Sequence, residues 1–139
     1  MYSLYFDGES RGNPGPASFG GVIYDENRDE VLTYNKAIGN YSNNVAEYMG
    51  AYMGIKVCID NGIKNVNIYG DSKLVVDQLN GKGKIKSDIK KIYEEIQNLL
   101  HPKVEFFKKG HIFQYITFNH IGRKYNKRAN ELANLALDS

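Results

Sequence analysis

Residues 1–139 read as an α/β sandwich, and three observations carry that reading. The N-terminal part holds three short runs of strand character broken by turn-rich sequence. Residues 44–61 then switch to helical spacing, and from there compact strand-like and helical runs alternate to the end. A chain of 139 residues with 42% hydrophobic content suits one compact domain over 1–139, which buries roughly two-thirds of the surface its unfolded form would expose.

Residues 2–6 form an apolar run with Tyr, Leu and Phe that meets glycines and prolines at once, so they predict a strand followed by a loop. Residues 19–24 and 31–38, separated by the polar "DENRDE", extend this to an antiparallel meander. In 44–61, Val45, Met49, Tyr52 and Ile59 recur at three-to-four spacing, while Ala46, Gly50, Gly54 and Cys58 make a stripe of small residues. An interior helical glycine costs roughly 0.5–1 kcal/mol, so the stripe predicts close packing against another element. "NVNIY" at 65–69 is a compact strand, and "GDS" hands over to a helix capped by Ser72. A further helix is expected over 87–100, a strand over 113–120 and a terminal helix over 126–137. Between them 101–112 is ambiguous: "VEFFKKG" suits a helix extension or an irregular crossing, and Pro102 favours a break.

The bulk features narrow the function classes. No apolar run is long enough for a membrane span and no basic-then-apolar leader opens the sequence, so a soluble, unexported, cytoplasmic protein is expected, a monomer with no membrane partner. Cys58 is the only cysteine, which excludes an intrachain disulfide and a thiolate metal cluster and leaves a small buried hydrophobe on a helix. The net charge is +2, but residues 1–81 carry −4, 82–128 carry +8 and 129–139 carry −2. A phosphate-bearing partner held by the basic part, with the acidic part holding cations, would use that segregation; a solvated lysine face is the blander account.

Four positions invite a chemical reading, each with a structural alternative. Asp7 ends the first strand before "GNPGP" and would serve equally as a turn former. Glu47 sits in the first turn of the long helix, where the helix dipole favours an acid in any case. Asp71 precedes Ser72, where capping accounts for the pair, and His120 ends a strand before Gly122. Together they say more, because in an α/β sheet the ends of two strands and the start of the intervening helix can converge at one edge. Clustered carboxylates repel one another unless cations lie between them, and such hard oxygen ligands suit Mg²⁺ or Mn²⁺. Two ions about 4 Å apart would serve phosphodiester cleavage.

At these residues, "YFDGESRGNPGPASFGGVIY", "SNNVAEYMGAYMGI", "YGDSKLVVDQL" and "HIGRKYNKRANELANLA" resemble, in order and spacing, the four successive motifs of type 1 ribonuclease H. The resemblance implies a five-stranded mixed sheet flanked by helices. It also implies a metal-dependent endonuclease that hydrolyses the RNA strand of an RNA/DNA hybrid, leaving 5′-phosphate and 3′-hydroxyl ends. Asp7, Glu47 and Asp71 fall on three of the family's four metal-binding carboxylates, Asn130 falls on the fourth, and two Mg²⁺ or Mn²⁺ ions are implied with substrate. His120 matches a histidine linked to product departure or proton traffic. Gly8 and the glycines around Asn13, with Asn43 and Asn44, match a surface contacting RNA in the minor groove, where 2′-hydroxyls distinguish it from DNA. Asn13 and Ser42 resemble residues lining a pocket for a DNA-strand phosphate. Lys82, Lys84, Lys86, Lys90 and Lys91 would add sequence-independent attraction.

Three departures stand out. Only about a dozen residues separate the Asp71 helix from the next, so the extended basic protrusion of many bacterial members is absent, and the lysine-rich loop or an accessory domain must supply hybrid affinity. Glu9 replaces a small or neutral residue; it is either an exposed loop acid or, if the strand runs on, a charge on the face of Asp7. Asn130 keeps a carbonyl oxygen but lacks a charge, so weakened or Mn²⁺-preferring cleavage is expected. Glu131, turned about 100° round the helix, and Asp138, roughly 12 Å along it, cannot replace the missing charge. Two alternatives follow: a hybrid- or duplex-binding module with little or no turnover, and a nuclease acting mainly on double-stranded RNA or RNA–DNA junctions.

Overall fold

The computed structural model describes residues 1–102 and 112–139. Strand β1 (Tyr2–Ser10) pairs antiparallel with β2 (Gly15–Tyr24), which pairs antiparallel with β3 (Glu30–Tyr41). Helix α1 (Asn43–Asp60) leads to β4 (Asn65–Gly70), parallel to β1. Helices α2 (Lys73–Leu79) and α3 (Lys90–Leu100) precede β5 (Tyr115–His120), parallel to β4, and α4 (Lys127–Asp138) follows a short 3₁₀ turn. The sheet is five-stranded and mixed, as expected, and its order is β3-β2-β1-β4-β5.

The strands alternate sides, and this decides where each helix lies. Leu4 and Phe6 enter a core shared with Tyr48, Ala51 and Ile55 of α1, Val75 and Leu79 of α2, and Ile96 and Leu100 of α3. The small-residue stripe lets α1 press on the sheet: a Cβ at Gly50 would lie 2.9 Å from the Asp7 carbonyl, and one at Gly54 would lie 2.5 Å from the Tyr34 hydroxyl. Cys58 is buried and free, as expected, and burial pushes its thiol up to about 12. Helix α4 covers the opposite face. It comes so close to β2 that a Cβ at Gly20 would lie 2.5 Å from the Ala133 nitrogen, and the Ser18 hydroxyl donates to the Ala133 carbonyl at 2.6 Å.

Several boundaries differ from the sequence expectation for physical reasons. Ladder pairing carries β1 on to Ser10, with Glu9 opposite Ser18 and Ser10 opposite Ala17, beyond the point where apolar residues stop. Helix α3 begins at Lys90 rather than Ser87, because buried Ile89 anchors its start and no side chain caps it. It ends at Leu100, before Pro102, whose ring cannot continue a helix. The "VEFFKKG" stretch lies outside the described residues. Only residues 80–89 join α2 to α3, so no extended excursion leaves the domain there.

Gly8 is the tightest point between α1 and the sheet. A Cβ there would lie 2.2 Å from the Ala46 carbonyl carbon and 2.3 Å from the Glu47 nitrogen, both backbone atoms with no freedom to retreat. Gly8→Ala is therefore expected to destabilise the fold by about 3 kcal/mol, at the upper end of overpacking costs, as read from urea unfolding.

Candidate metal centre

Three side chains converge beside the ends of β1 and β4. Asp7 lies on β1 and is 4% exposed; Glu47 on α1 is 6% exposed; Asp71 directly follows β4. Each offers a carboxylate oxygen within 4.8 Å of the others. Glu47 is not in the first turn, as the sequence suggested: α1 starts at Asn43 behind its Ser42 cap, and no acid occupies that turn. What brings Glu47 to Asp7 is the close approach at Gly8, not the helix dipole.

Without a cation the arrangement is electrostatically costly. Burial pushes the Asp7 carboxyl up to about 6, with the charge of Asp71 adding to the rise and hydrogen bonds from Glu47, Asn130 and the Gly8 amide opposing it. Burial also raises the Glu47 carboxyl well above the usual carboxylate range, aided by the charge of Asp7 and a hydrogen bond to it. Its Oε2 has no hydrogen-bond partner. A buried, unpartnered oxygen in an all-carboxylate set fits a hard divalent cation.

The sign of the pH dependence follows. A carboxyl raised in the fold binds its proton there more tightly than in the unfolded chain, so its contribution is complete below the unfolded value and is lost as pH rises through the folded one. In EDTA, stability should fall between about pH 4 and 6, by about 3 kcal/mol for Asp7 if its shift is fully expressed. Because a cation must displace those protons, Mg²⁺ or Mn²⁺ should raise the melting temperature more above this window than below it. Thermal melts across pH with and without metal check both.

Asn130, on the first turns of α4, joins the group through its nitrogen: Nδ2 donates to Asp7 Oδ2 at 2.8 Å and to Glu9 Oε2 at 3.2 Å. Its Oδ1 accepts from Asn134 Nδ2 at 3.1 Å. Glu9 thus shares the face of Asp7, which settles the two readings left open by the sequence. His120 pairs in register with Gly70, next to Asp71, but is exposed and lies outside the carboxylate group; its charge is felt instead by Asp77 on α2.

The expected substrate residues separate into two places. Asn13 Oδ1 accepts from the Asn43 amide at 3.0 Å and Asn43 Oδ1 accepts from the Ser10 amide at 2.6 Å, so the glycine-rich turn is tied to the start of α1. Ser42, in the same place, caps α1 by accepting from the Val45 amide, and Asn44 lies in the first turn. Gly8 is buried, and its missing side chain makes room for α1. Lys82, Lys84 and Lys86 are exposed on the loop beyond α2, about 10 Å of helix away from Asp71, and Lys90 and Lys91 open α3. Gln78, 3% exposed, pins that loop to the core: it accepts from the Tyr48 hydroxyl and donates to the Lys84 carbonyl.

Asn126 was not foreseen. It stands at the N-cap position of α4 but makes no cap bond. Instead its Nδ2 donates at 2.9 Å both to Asp71 Oδ2 and to the Phe6 carbonyl, holding Asp71 towards β1. Its place one helical turn before Asn130 was the available signal. A cavity of about 410 Å³, lined by Tyr5, Tyr24, Tyr69, Arg28 and Asn126, opens on the same sheet face but includes none of the three clustered carboxylates. Among the described residues, no helix is long and apolar enough to cross a membrane.

Comparison with known proteins agrees with this fold. Residues 5–136 match the family described as reverse transcriptase-like. The chain is 38% identical over 135 residues to the bifunctional protein Rv2228c of Mycobacterium tuberculosis, covering 96% of this chain but only 34% of that protein. It is 31% identical to a ribonuclease H of a Sulfurovum species, covering 94% of this chain and 86% of that one. Among solved structures, LC11-RNase H1 in complex with an RNA/DNA hybrid superposes with a TM-score of 0.87 at 34% identity, covering 99% of this chain and 97% of that one. Fold and sequence agree over nearly the whole length, and this chain belongs to the ribonuclease H family.

Proposed function

We propose that the chain is a divalent-metal-dependent endoribonuclease that cleaves the RNA strand of RNA/DNA hybrids, leaving 5′-phosphate and 3′-hydroxyl ends. The observation that carries the proposal is the convergence of Asp7, Glu47 and Asp71 around an unpartnered buried oxygen. Support for the substrate comes from the hybrid complex of LC11-RNase H1. Bound among these oxygens, two Mg²⁺ or Mn²⁺ ions would supply activation of the attacking water and neutralisation of the departing 3′ oxygen. Asp7 on β1 and Asp71 just after the parallel strand β4 would hold the ions together with Glu47 from α1, and Asn126 keeps Asp71 aligned. Asn130 completes the group with an amide in place of a charge. His120, exposed at the end of β5, stands next to Asp71 in the sheet register, where the family's histidine assists product departure. Asn13, Ser42, Asn43 and Asn44 form the strand-binding end of the site, and the lysines after α2 add non-specific attraction to backbone phosphates.

The test is cleavage of end-labelled duplexes resolved on denaturing gels, with Mg²⁺ and with Mn²⁺. Hybrid cut in its RNA strand is the expected result. Cutting that favours double-stranded RNA or RNA–DNA junctions would reassign the substrate. A second reading, a hybrid-binding module without turnover, draws on the Asn130 nitrogen, which points a donor where a ligand oxygen is needed. That module would bind hybrid and cut nothing with either metal.

A further inference from the structure

We infer that Glu9 is the fourth carboxylate of the metal centre, contributed by β1 to make good the charge that α4 lacks at Asn130. The inference rests on the two-metal reading above and concerns a residue that reading does not use. Asn130 Nδ2 lies 2.8 Å from Asp7 Oδ2 and 3.2 Å from Glu9 Oε2, so one small polar group stands between two carboxylates and donates to both. An amide can offer a cation its oxygen but not its nitrogen. When Asn130 turns to do so, Nδ2 leaves both acids, and Glu9, which lies outside the group of Asp7, Glu47 and Asp71, is left beside Asp7 without that donor.

Charge favours the same assignment. Three carboxylates leave two divalent ions short of neutrality, and a fourth negative group balances them. Glu47 Oε2, on a side chain 6% exposed, is already unpartnered in that group, so it has an oxygen available for an ion. Glu9 has no ion pair of its own among the described residues. Arg11 lies within reach of its field, but the guanidinium is occupied by Asp138 at 2.8 Å and by Asn134 Oδ1 at 3.2 Å. Strand geometry fixes the rest: Glu9 is two residues beyond Asp7 on the same face, held there by pairing with Ser18.

The experiment is calorimetric titration of Mn²⁺, and separately Mg²⁺, into metal-free protein: the parent, Glu9→Gln, Glu9→Asp, Asn130→Asp and the double variant Glu9→Gln/Asn130→Asp. Glu9→Gln should weaken binding by about tenfold or more in the parent, comparable to losing a close partner of a metal site, and by much less beside Asp at 130. Glu9→Asp, which keeps the charge on a shorter arm, should fall between. Arg11→Ala, which removes a positive charge whose field reaches Glu9, should not weaken metal binding, which separates this role from a simple Arg11 partnership. Melting in EDTA verifies that each variant is folded. Equal losses in both backgrounds, or no loss on Glu9→Gln, overturn the inference. If the parent binds metal and cleaves hybrid while Glu9→Gln is indistinguishable from it, only this inference fails. If the parent neither binds metal nor cleaves, the proposed function fails with it.

Discussion

Replacing Asp7 with Asn is expected to abolish cleavage and, in the absence of metal, to make the protein more stable. The two effects share one cause. Asp7 is nearly buried beside Glu47 and Asp71, and burial together with the charge of Asp71 pushes its carboxyl up to about 6. At neutral pH the folded metal-free protein therefore carries a charge that its surroundings disfavour. An Asn of the same shape removes that charge, can still accept from Asn130 Nδ2, and can donate to the neighbouring carboxylates. Relief of the strain should add roughly 1–3 kcal/mol, raising the melting temperature in EDTA by several degrees. The same change removes a negative oxygen from the centre of the ion site. Cleavage should fall by well over 100-fold, since even the outer partners of metal ligands cost 10–100-fold when lost. Single-turnover cleavage and melts in EDTA measure the pair. A variant that is inactive but also less stable would mean that Asp7 serves mainly as structure, and an active one would remove it from the site.

The sequence made the three clustered carboxylates legible because each sits at a place that topology fixes: on β1 just past its pairing with β4, in the early turns of α1 and directly after β4. Four motifs in one order bound those places into a single site before any distance was known. What escaped depended on contacts between distant residues. Asn126 has a sufficient local explanation as a helix cap, yet its partners are Asp71 and the Phe6 carbonyl, 55 and 120 residues away. Glu9 stayed undecided because apolar alternation stops at Phe6, whereas the ladder to β2 continues to Ser10. Gly8 was recognised, but for a different reason: its missing Cβ makes room for α1. Through that contact Gly8 decides how near Glu47 comes to Asp7. The start of α3 was misplaced because a serine at 87 is a good local cap, while burial of Ile89 sets the first turn.

Asn130→Asp is expected to reverse the order of stability depending on whether metal is present. In EDTA the change turns two charge-assisted hydrogen bonds, 2.8 Å to Asp7 and 3.2 Å to Glu9, into contacts between like charges. Asn134 can still donate to the remaining oxygen, so the loss concentrates on the carboxylate side. Losing hydrogen bonds to charged groups costs about 1.5–3 kcal/mol, and repulsion adds to this, so the variant should melt roughly 5–10 °C below the parent. With saturating Mg²⁺ or Mn²⁺ the same oxygen becomes a charged ligand. Each tenfold gain in affinity adds about 1.4 kcal/mol of stability at a given high metal concentration, so a gain of ten- to a hundredfold offsets most or all of the deficit. Hybrid cleavage at limiting Mg²⁺ should rise by about tenfold or more on the same grounds. Glu9 sets the size of that rise: where it already provides the charge, Asp at 130 adds less than it does beside Gln at 9. Melting curves across metal concentration, collected with cleavage rates, test the whole chain of reasoning. If Asn130→Asp is as stable as the parent in EDTA, its amide is not the donor that holds Asp7 and Glu9 together. If metal then fails to lift the variant more steeply than the parent, Asn130 does not face the ions at all, and the charge that matters at this centre comes from β1, α1 and β4 alone.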